Sequence, residues 1–240
     1  MTDRVDGALG GRVAVVTGAG RGIGRAIACE LARLGMGVGL VARSREELAD
    51  VASQIGSGAL ACPADVRRSD ELTLSFEKVQ ASLGEVSVLV NAAGIYHYGL
   101  AVEASEADFD DVVDTNLKGT FLTCQLALPG MIAAGGGDIV NIASIAGKVG
   151  TARRAVYCAS KFGVVGFTQA LAEEVRENGV RVTVVCPGST NTRFSPKELQ
   201  GKSTERMLQP ADIAHTVRMV LGQAPTSFMS EIILRPTRKP

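Results

Sequence analysis

The chain alternates short apolar, β-branched runs with longer stretches in which apolar residues recur every three or four positions. The short runs fall at 12–16, 37–42, 58–62, 86–90, 138–143, 180–186 and 230–234, and they predict strands. Runs this continuously apolar suit parallel strands covered on both faces. The periodic stretches predict helices from the glycine turn through Leu34, then over 44–55, 69–83, 105–131, 157–177 and 210–221. Ser69 reads as the N-cap of its helix, with Leu72, Phe76 and Val79 turned inward. The 105–131 stretch reads as one helical region carrying Phe109, Val112, Val113, Leu117, Phe121 and Leu122, with Asn116 in the middle. Residues 193–209 are polar and weakly periodic, and read as a mobile flap. Strands alternating with helices throughout predict an α/β fold with one doubly wound sheet, and a single domain over 1–240 with no linker or repeat.

Composition narrows the class. Of the 240 residues, 46% are hydrophobic and 21% charged, which suits a soluble globular chain. Trp is absent and aromatics make up 4%, so Ala, Val, Leu and Ile must build the core. Lys plus Arg equals Asp plus Glu at 25 each, so no overall field draws in nucleic acid or an anionic membrane. The five cysteines, Cys29, Cys62, Cys124, Cys158 and Cys186, are scattered and form no Cys-x-x-Cys pair. A zinc or disulfide framework is therefore not expected, and a reducing, cytoplasmic setting is. The first ten residues carry Asp3, Arg4 and Asp6 with no apolar core, unlike a signal peptide, and no apolar run reaches membrane-spanning length.

The candidate chemistry lies where predicted strands end. The first strand runs into Thr17-Gly18-Ala19-Gly20-Arg21-Gly22-Ile23-Gly24 and then a helix. Strand, glycine turn and helix start is the context in which backbone N–H groups receive a pyrophosphate. The spacing of Gly18, Gly22 and Gly24 is not Gly-x-Gly-x-x-Gly, and a purely structural turn competes with the binding reading. After the second strand stand Ala42-Arg43-Ser44, where an NAD binder commonly places a carboxylate for the ribose. With no carboxylate there, and with Arg43 and Arg21 as cations, NADP is favoured over NAD; the competing view is two solvated arginines. Ser144 follows the fifth strand, at the strand end where open α/β sheets hold ligands. Tyr157 and Lys161 stand one helical turn apart on one face. An ammonium beside a phenol lowers its pKa and readies it for acid–base work, whereas a surface Tyr–Lys pair would do nothing. Arg153 and Arg154, just before Tyr157, suit an anionic substrate or an acidic carrier protein, or are simply solvated. His97, in a loop after Asn91-Ala92-Ala93-Gly94, lies near the predicted site and is otherwise a solvated histidine.

Taken together and in this order, these residues resemble the short-chain dehydrogenase/reductase family over about residues 11–234. The matching pieces are the glycine turn, Asp65-Val66, Asn91-Ala92-Ala93-Gly94, Asn116, Ser144, Tyr157-x-x-x-Lys161 and Pro187-Gly188 through Thr192. The resemblance implies a Rossmann-type parallel sheet of strand order 3-2-1-4-5-6-7 with helices on both faces. It implies that Tyr157 is the general acid in carbonyl reduction, that Lys161 lowers the Tyr157 pKa and binds the nicotinamide ribose, and that Ser144 holds the substrate oxygen. Asn116 would support a proton relay to Lys161. Asp65 and Val66 would flank the adenine, Asn91, Ala92 and Gly94 would line the cofactor cleft, Pro187, Gly188 and Thr190 would bind the cofactor, and Thr192 would contact its carboxamide or phosphate. Within the family the sequence is most similar to the 3-oxoacyl-(acyl-carrier-protein) reductase branch. It departs from that branch at Thr190 and at the C-terminal end, Ser230 to Thr237, which lacks an Asp-Gly-Gly. The expected activity is NADPH-dependent reduction of a ketone or 3-oxoacyl thioester, by a homotetramer packed through its two long helices. An NAD-dependent alcohol or sugar dehydrogenase, or a dinucleotide sensor without turnover, are the alternatives.

Overall fold

The computed structural model describes residues 9–194 and 204–240. Of the segment read as a flap, residues 195–203 lie outside the described residues, as do residues 1–8. Seven parallel strands form one sheet: β1 (Val13–Thr17), β2 (Gly37–Ala42), β3 (Ala59–Pro63), β4 (Val86–Asn91), β5 (Gly137–Ile142), β6 (Val180–Pro187) and β7 (Glu231–Leu234). Their order is β3-β2-β1-β4-β5-β6-β7, as the resemblance implied. The helices are α1 (Gly22–Arg33), α2 (Arg45–Ile55), α3 (Ser69–Leu83), α4 (Glu106–Val113), α5 (Gly119–Ala133), α6 (Ala155–Val175) and α7 (Pro210–Leu221).

Alternation along each strand divides the core in two. Ala14, Val16, Val38 and Leu40 face α1, α2 and α7, where Ile27, Leu31, Leu48, Ile213 and Val217 are buried against them. Val13, Val15, Leu89, Ile139 and Val182 face α3, α5 and α6, and meet Leu72, Phe76, Met131, Leu171 and Val175. Both faces of the inner strands are covered, which is why those sequences show no polar face; the edge strands β3 and β7 are only part-buried.

Three sequence expectations are corrected. Ser69 is the first residue of α3, not its cap. Arg68 holds that position without a side-chain cap bond, since a guanidinium has no acceptor to offer, and the entering turn is closed by the Arg68 amide donating to the Asp65 carbonyl at 2.9 Å. The 105–131 region is not one regular helix. A π turn at Asp114–Lys118 separates α4 from α5 and takes Asn116 fully out of water. The last long helix starts two residues earlier than expected, at Ala155, and ends in a 3₁₀ turn at Arg176–Asn178.

The sheet reverses its order between β1 and β4, so a crevice opens at their carboxyl ends. There Thr17 sits level with Asn91, and its hydroxyl accepts from the Ala92 and Ala93 amides at 3.1 Å each. The approach of α1 to β1 is set by Gly24, where a Cβ would collide with the Gly18 carbonyl. Gly18 itself has φ +66 and its Cβ position lies 2.8 Å from the Ala93 nitrogen. We expect Gly24→Ala to destabilise the fold by about 1–3 kcal/mol through overpacking against backbone. Urea unfolding midpoints would measure it; an unchanged midpoint would show that α1 can shift freely.

Candidate active site

A cleft of about 940 Å³ opens at the carboxyl ends of the central strands. Its walls bring together Gly18, Arg21, Gly22, Ile23 and Gly24 of the turn, Arg43 and Ser44 after β2, and Asp65 and Val66 after β3. They also include Ala92 and Gly94 after β4, Ser144 after β5, Tyr157 and Lys161 on α6, and Pro187, Gly188, Thr190 and Thr192 after β6. Two expected residues, Asn91 and Asn116, do not line it.

The glycine end fits a phosphate-bearing dinucleotide. α1 begins at Gly22 with no side-chain cap bond and no acidic residue in its first turn, so its leading amides point outward without a protein partner of the usual kind. Gly22 faces Thr192, and a Cβ there would lie 3.4 Å from the Thr192 methyl, so the turn stands close to the loop after β6. Ser44 serves a structural role as well, since its hydroxyl accepts from the Glu47 amide at 3.2 Å and caps α2. Among the described residues Arg43 makes no ion pair within 4 Å, and its charge acts on the Asp65 carboxylate from farther away. Arg21 lies 3.6 Å from Glu47, an exposed pair worth little. The Asp65 carboxylate is held by Arg67 at 2.7 Å, which keeps its pKa below the ordinary range, while the Asp65 amide donates to Glu71 at 2.8 Å.

The opposite end of the cleft is built by α6. Tyr157 and Lys161 project from its first two turns and are 6% and 4% exposed. Lys161 Nζ donates to the Ile142 carbonyl at 2.9 Å, at the last residue of β5. Burial without a carboxylate pulls this ammonium down to about 8 from an ordinary 10.5. The Ser144 hydroxyl accepts from the Ala146 amide at 3.1 Å, which fixes it at the end of β5. The expectation that Lys161 lowers the Tyr157 pKa is corrected. Burial pushes the phenol above its ordinary 10, with the hydrogen bond to Ser144 and the Arg154 charge pulling part of the way back. Lys161 Nζ stands 6.0 Å from the phenol ring centroid and spends a hydrogen bond on backbone, and it is not among the groups that pull the phenol down.

Asn116 and Asn91 act behind the wall. The Asn116 side chain accepts from the Ile95 amide at 2.8 Å and donates to the Ile95 carbonyl at 3.0 Å and to Ser160 Oγ at 2.9 Å. It thereby ties the loop after β4 to the residue next to Lys161. Asn91, 3% exposed, donates to Asn141 at 2.9 Å and accepts from Thr123 at 2.7 Å, while Asn141 donates to Thr168 at 2.9 Å. Its side chain points into the sheet–helix interface, which is why it misses the cleft.

Sequence reasoning gave no role to Thr17, Ser160 or Phe194. Ser160 precedes Lys161 and lies one turn after Tyr157, a position that places it on the inner side of α6; that periodicity was its available signal. Phe194 carries none, because its place beside Tyr157, with ring centroids 6.1 Å apart, comes from a loop. His97 does not line the cleft; its Nε2 lies 4.0 Å from Asp108.

The sequence profile of the short chain dehydrogenase family matches residues 12–203. The chain is 39% identical over 216 residues to the 3-oxoacyl-[acyl-carrier-protein] reductase of Homo sapiens, covering 88% of this chain and 91% of that one. It is 42% identical over 181 residues to the Bos taurus protein of the same name, covering 75% and 76%. Among solved structures, a metagenomic short-chain oxidoreductase in complex with NADP superposes with a TM-score of 0.84 at 40% identity, covering 97% of this chain and 100% of that one. The 3-ketoacyl-(acyl-carrier-protein) reductase from Brucella melitensis, complexed with NADH, gives 0.89 at 29% identity over 96% and 99%. Strand order, a glycine turn facing a buried Tyr–Lys pair, and matches running nearly end to end place this chain in the short-chain dehydrogenase/reductase family of oxidoreductases.

Proposed function

We propose that the protein is an NADPH-dependent oxidoreductase that reduces a ketone or 3-oxoacyl thioester to an alcohol. The observation that carries this reading is the convergence of Ser144, Tyr157 and Lys161 on one cleft wall, with the glycine turn at the other end of the same cleft. When bound, the reduced nicotinamide dinucleotide supplies a hydride. Gly22, Ile23 and Gly24 present amides to its phosphates, and Arg43 meets the 2′-phosphate. Lys161 and Thr192 hold the nicotinamide end. Ser144 donates a hydrogen bond to the substrate oxygen, and Tyr157 gives that oxygen its proton as negative charge develops there. A phenol with a raised pKa stays protonated through neutral pH, so it stands ready as the acid. Lys161 then returns a proton toward the phenolate, which a cation with a pKa near 8 does at little cost. Asn116 is a positioning residue, fixing Ser160 and the Ile95 segment around Lys161.

NADP is supported by the absence of a carboxylate directly after β2 and by the complex of the metagenomic relative. The NADH complex of the Brucella protein favours a second reading, an NAD-linked dehydrogenase on the same site. Exposed Phe109, Phe121 and Phe162, 47%, 45% and 46% accessible on α4, α5 and α6, support self-association through those helices into a homotetramer. No helix among the described residues is long and apolar enough to cross a membrane.

Tyr157→Phe is expected to lower kcat/KM for carbonyl reduction by about 10²–10⁴-fold while leaving NADPH affinity nearly unchanged. Retention of most of the rate would remove Tyr157 as proton donor. Arg43→Ala should weaken NADPH by about tenfold or more and barely alter NADH, read by fluorescence titration of each dinucleotide. Equal affinity of the native protein for both would overturn the NADP assignment. Lys161 carries a stability signature too. Its folded pKa lies below the unfolded one, so the native state binds fewer protons between about pH 8 and 10.5 and is stabilised as pH rises through that window. The unfolding free energy of the native protein relative to Lys161→Met should therefore grow by on the order of 1–2 kcal/mol from pH 7.5 to 9.5. Urea melts of both proteins at the two pH values would measure this, and a flat difference would mean that Lys161 is not desolvated.

A further inference from the structure

The catalytic end of the cleft holds a cation that the chemistry described above does not use. Arg154 stands one turn before Tyr157 at the start of α6, and both side chains line the cleft. Its guanidinium carbon lies 5.7 Å over the Tyr96 ring, and the Tyr96 ring centroid lies 4.7 Å from that of Tyr157. One aromatic ring thus separates the guanidinium from the phenol that handles the proton. Among the described residues no carboxylate pairs with Arg154, whereas Arg12, Arg67, Arg68, Arg176 and Arg181 each meet one. Arg154 Nε and Tyr96 Oη are both buried and adjoin each other; the guanidinium charge and a weak contact to the phenol oxygen are all the protein offers, and neither atom has a hydrogen bond of good geometry. Unpaired buried donors cost free energy that an incoming acceptor recovers. Arg153, by contrast, is exposed, has φ 63 and does not line the cleft that Arg154 lines.

We infer that the substrate is an oxo acid whose free carboxylate is bound by Arg154 and Tyr96 while its carbonyl lies against Ser144 and Tyr157. The inference rests on the carbonyl-reductase reading and narrows it. A guanidinium offers a planar fork of donors that matches a carboxylate, and the Tyr96 hydroxyl adds a third donor beside it. The aromatic wall of Tyr96, Tyr157 and Phe194 excludes water around the pair and strengthens it. An ester or amide of the same acid keeps the carbonyl but loses the charge that Arg154 recognises. Reduction is unaltered in its balance: the carbonyl carbon gains a hydride, its oxygen gains the Tyr157 proton, and the carboxylate is not consumed.

The test compares pyruvate, acetoacetate and levulinate with their methyl esters, a series in which the carboxylate recedes from the carbonyl. Binding is read by calorimetry with NADPH present, and turnover by loss of NADPH absorbance. At least one acid should exceed its ester by about tenfold or more in both affinity and kcat/KM. Arg154→Gln should collapse that acid-to-ester ratio, Arg154→Lys should restore part of it, and Arg153→Gln should leave it in place. Added chloride should shrink the native ratio, which decides the matter even if Arg154→Gln does not fold. Acids and esters bound and reduced alike, or a ratio that survives Arg154→Gln, would overturn the proposal and leave the reductase reading standing. Acids bound through Arg154 with no reduction of any carbonyl would do the reverse.

Discussion

The Tyr157 and Lys161 end of the cleft depends on one buried amide. Asn116 is wholly removed from water, and every polar atom of its side chain is spent on two segments far apart in sequence, Ile95 and Ser160. In a low-dielectric interior such bonds are strong when complete and costly when broken, so the three segments move together or not at all. A regular helix would carry Asn116 past this position. The π turn at Asp114–Lys118 supplies the local change in pitch that aims the side chain between β4 and α6. The site is therefore set by a departure from helical regularity, stabilised by the hydrogen bonds that departure makes possible.

That same feature marks where the sequence stopped being readable. The inner strands were legible because they are largely buried on both faces and so show mostly apolar runs, while the edge strands β3 and β7, only part-buried, were legible from their short apolar stretches. The Tyr157–Lys161 spacing was legible because helical geometry alone puts the two side chains on one face. The π turn was not, since the apolar residues from Phe109 to Leu122 keep an ordinary helical period across it. Asn91 was expected in the cleft because its neighbours Ala92 and Gly94 are there; strand alternation instead turns it toward Thr123 and Asn141. The direction of the Tyr157 pKa was misjudged for a different reason. Spacing gives proximity, but the balance of charge against desolvation depends on how deeply both groups are buried, and no periodicity reports that.

The two ends of the sheet treat charge in opposite ways, and the contrast separates structure from chemistry. At the amino ends of the strands, Asp138 is 2% exposed and held between Arg12 at 2.8 Å and Arg181 at 2.7 Å. That carboxylate is fully compensated, and the triad ties β1, β5 and β6 together. At the carboxyl ends, Arg154 and Lys161 stand along one cleft with no carboxylate ion pair among the described residues, and Arg43 has only the more distant charge of Asp65. Leaving cations uncompensated costs stability, most clearly at Lys161, where burial alone pulls the ammonium down to about 8. The overall charge balance of the chain, 25 basic against 25 acidic residues, shows that carboxylates were not scarce. The carboxylates that do line the cleft, Glu47, Asp50 and Asp65, stand toward its glycine-turn end, so the Arg154 and Lys161 end is left with cations and no carboxylate ion pair among the described residues.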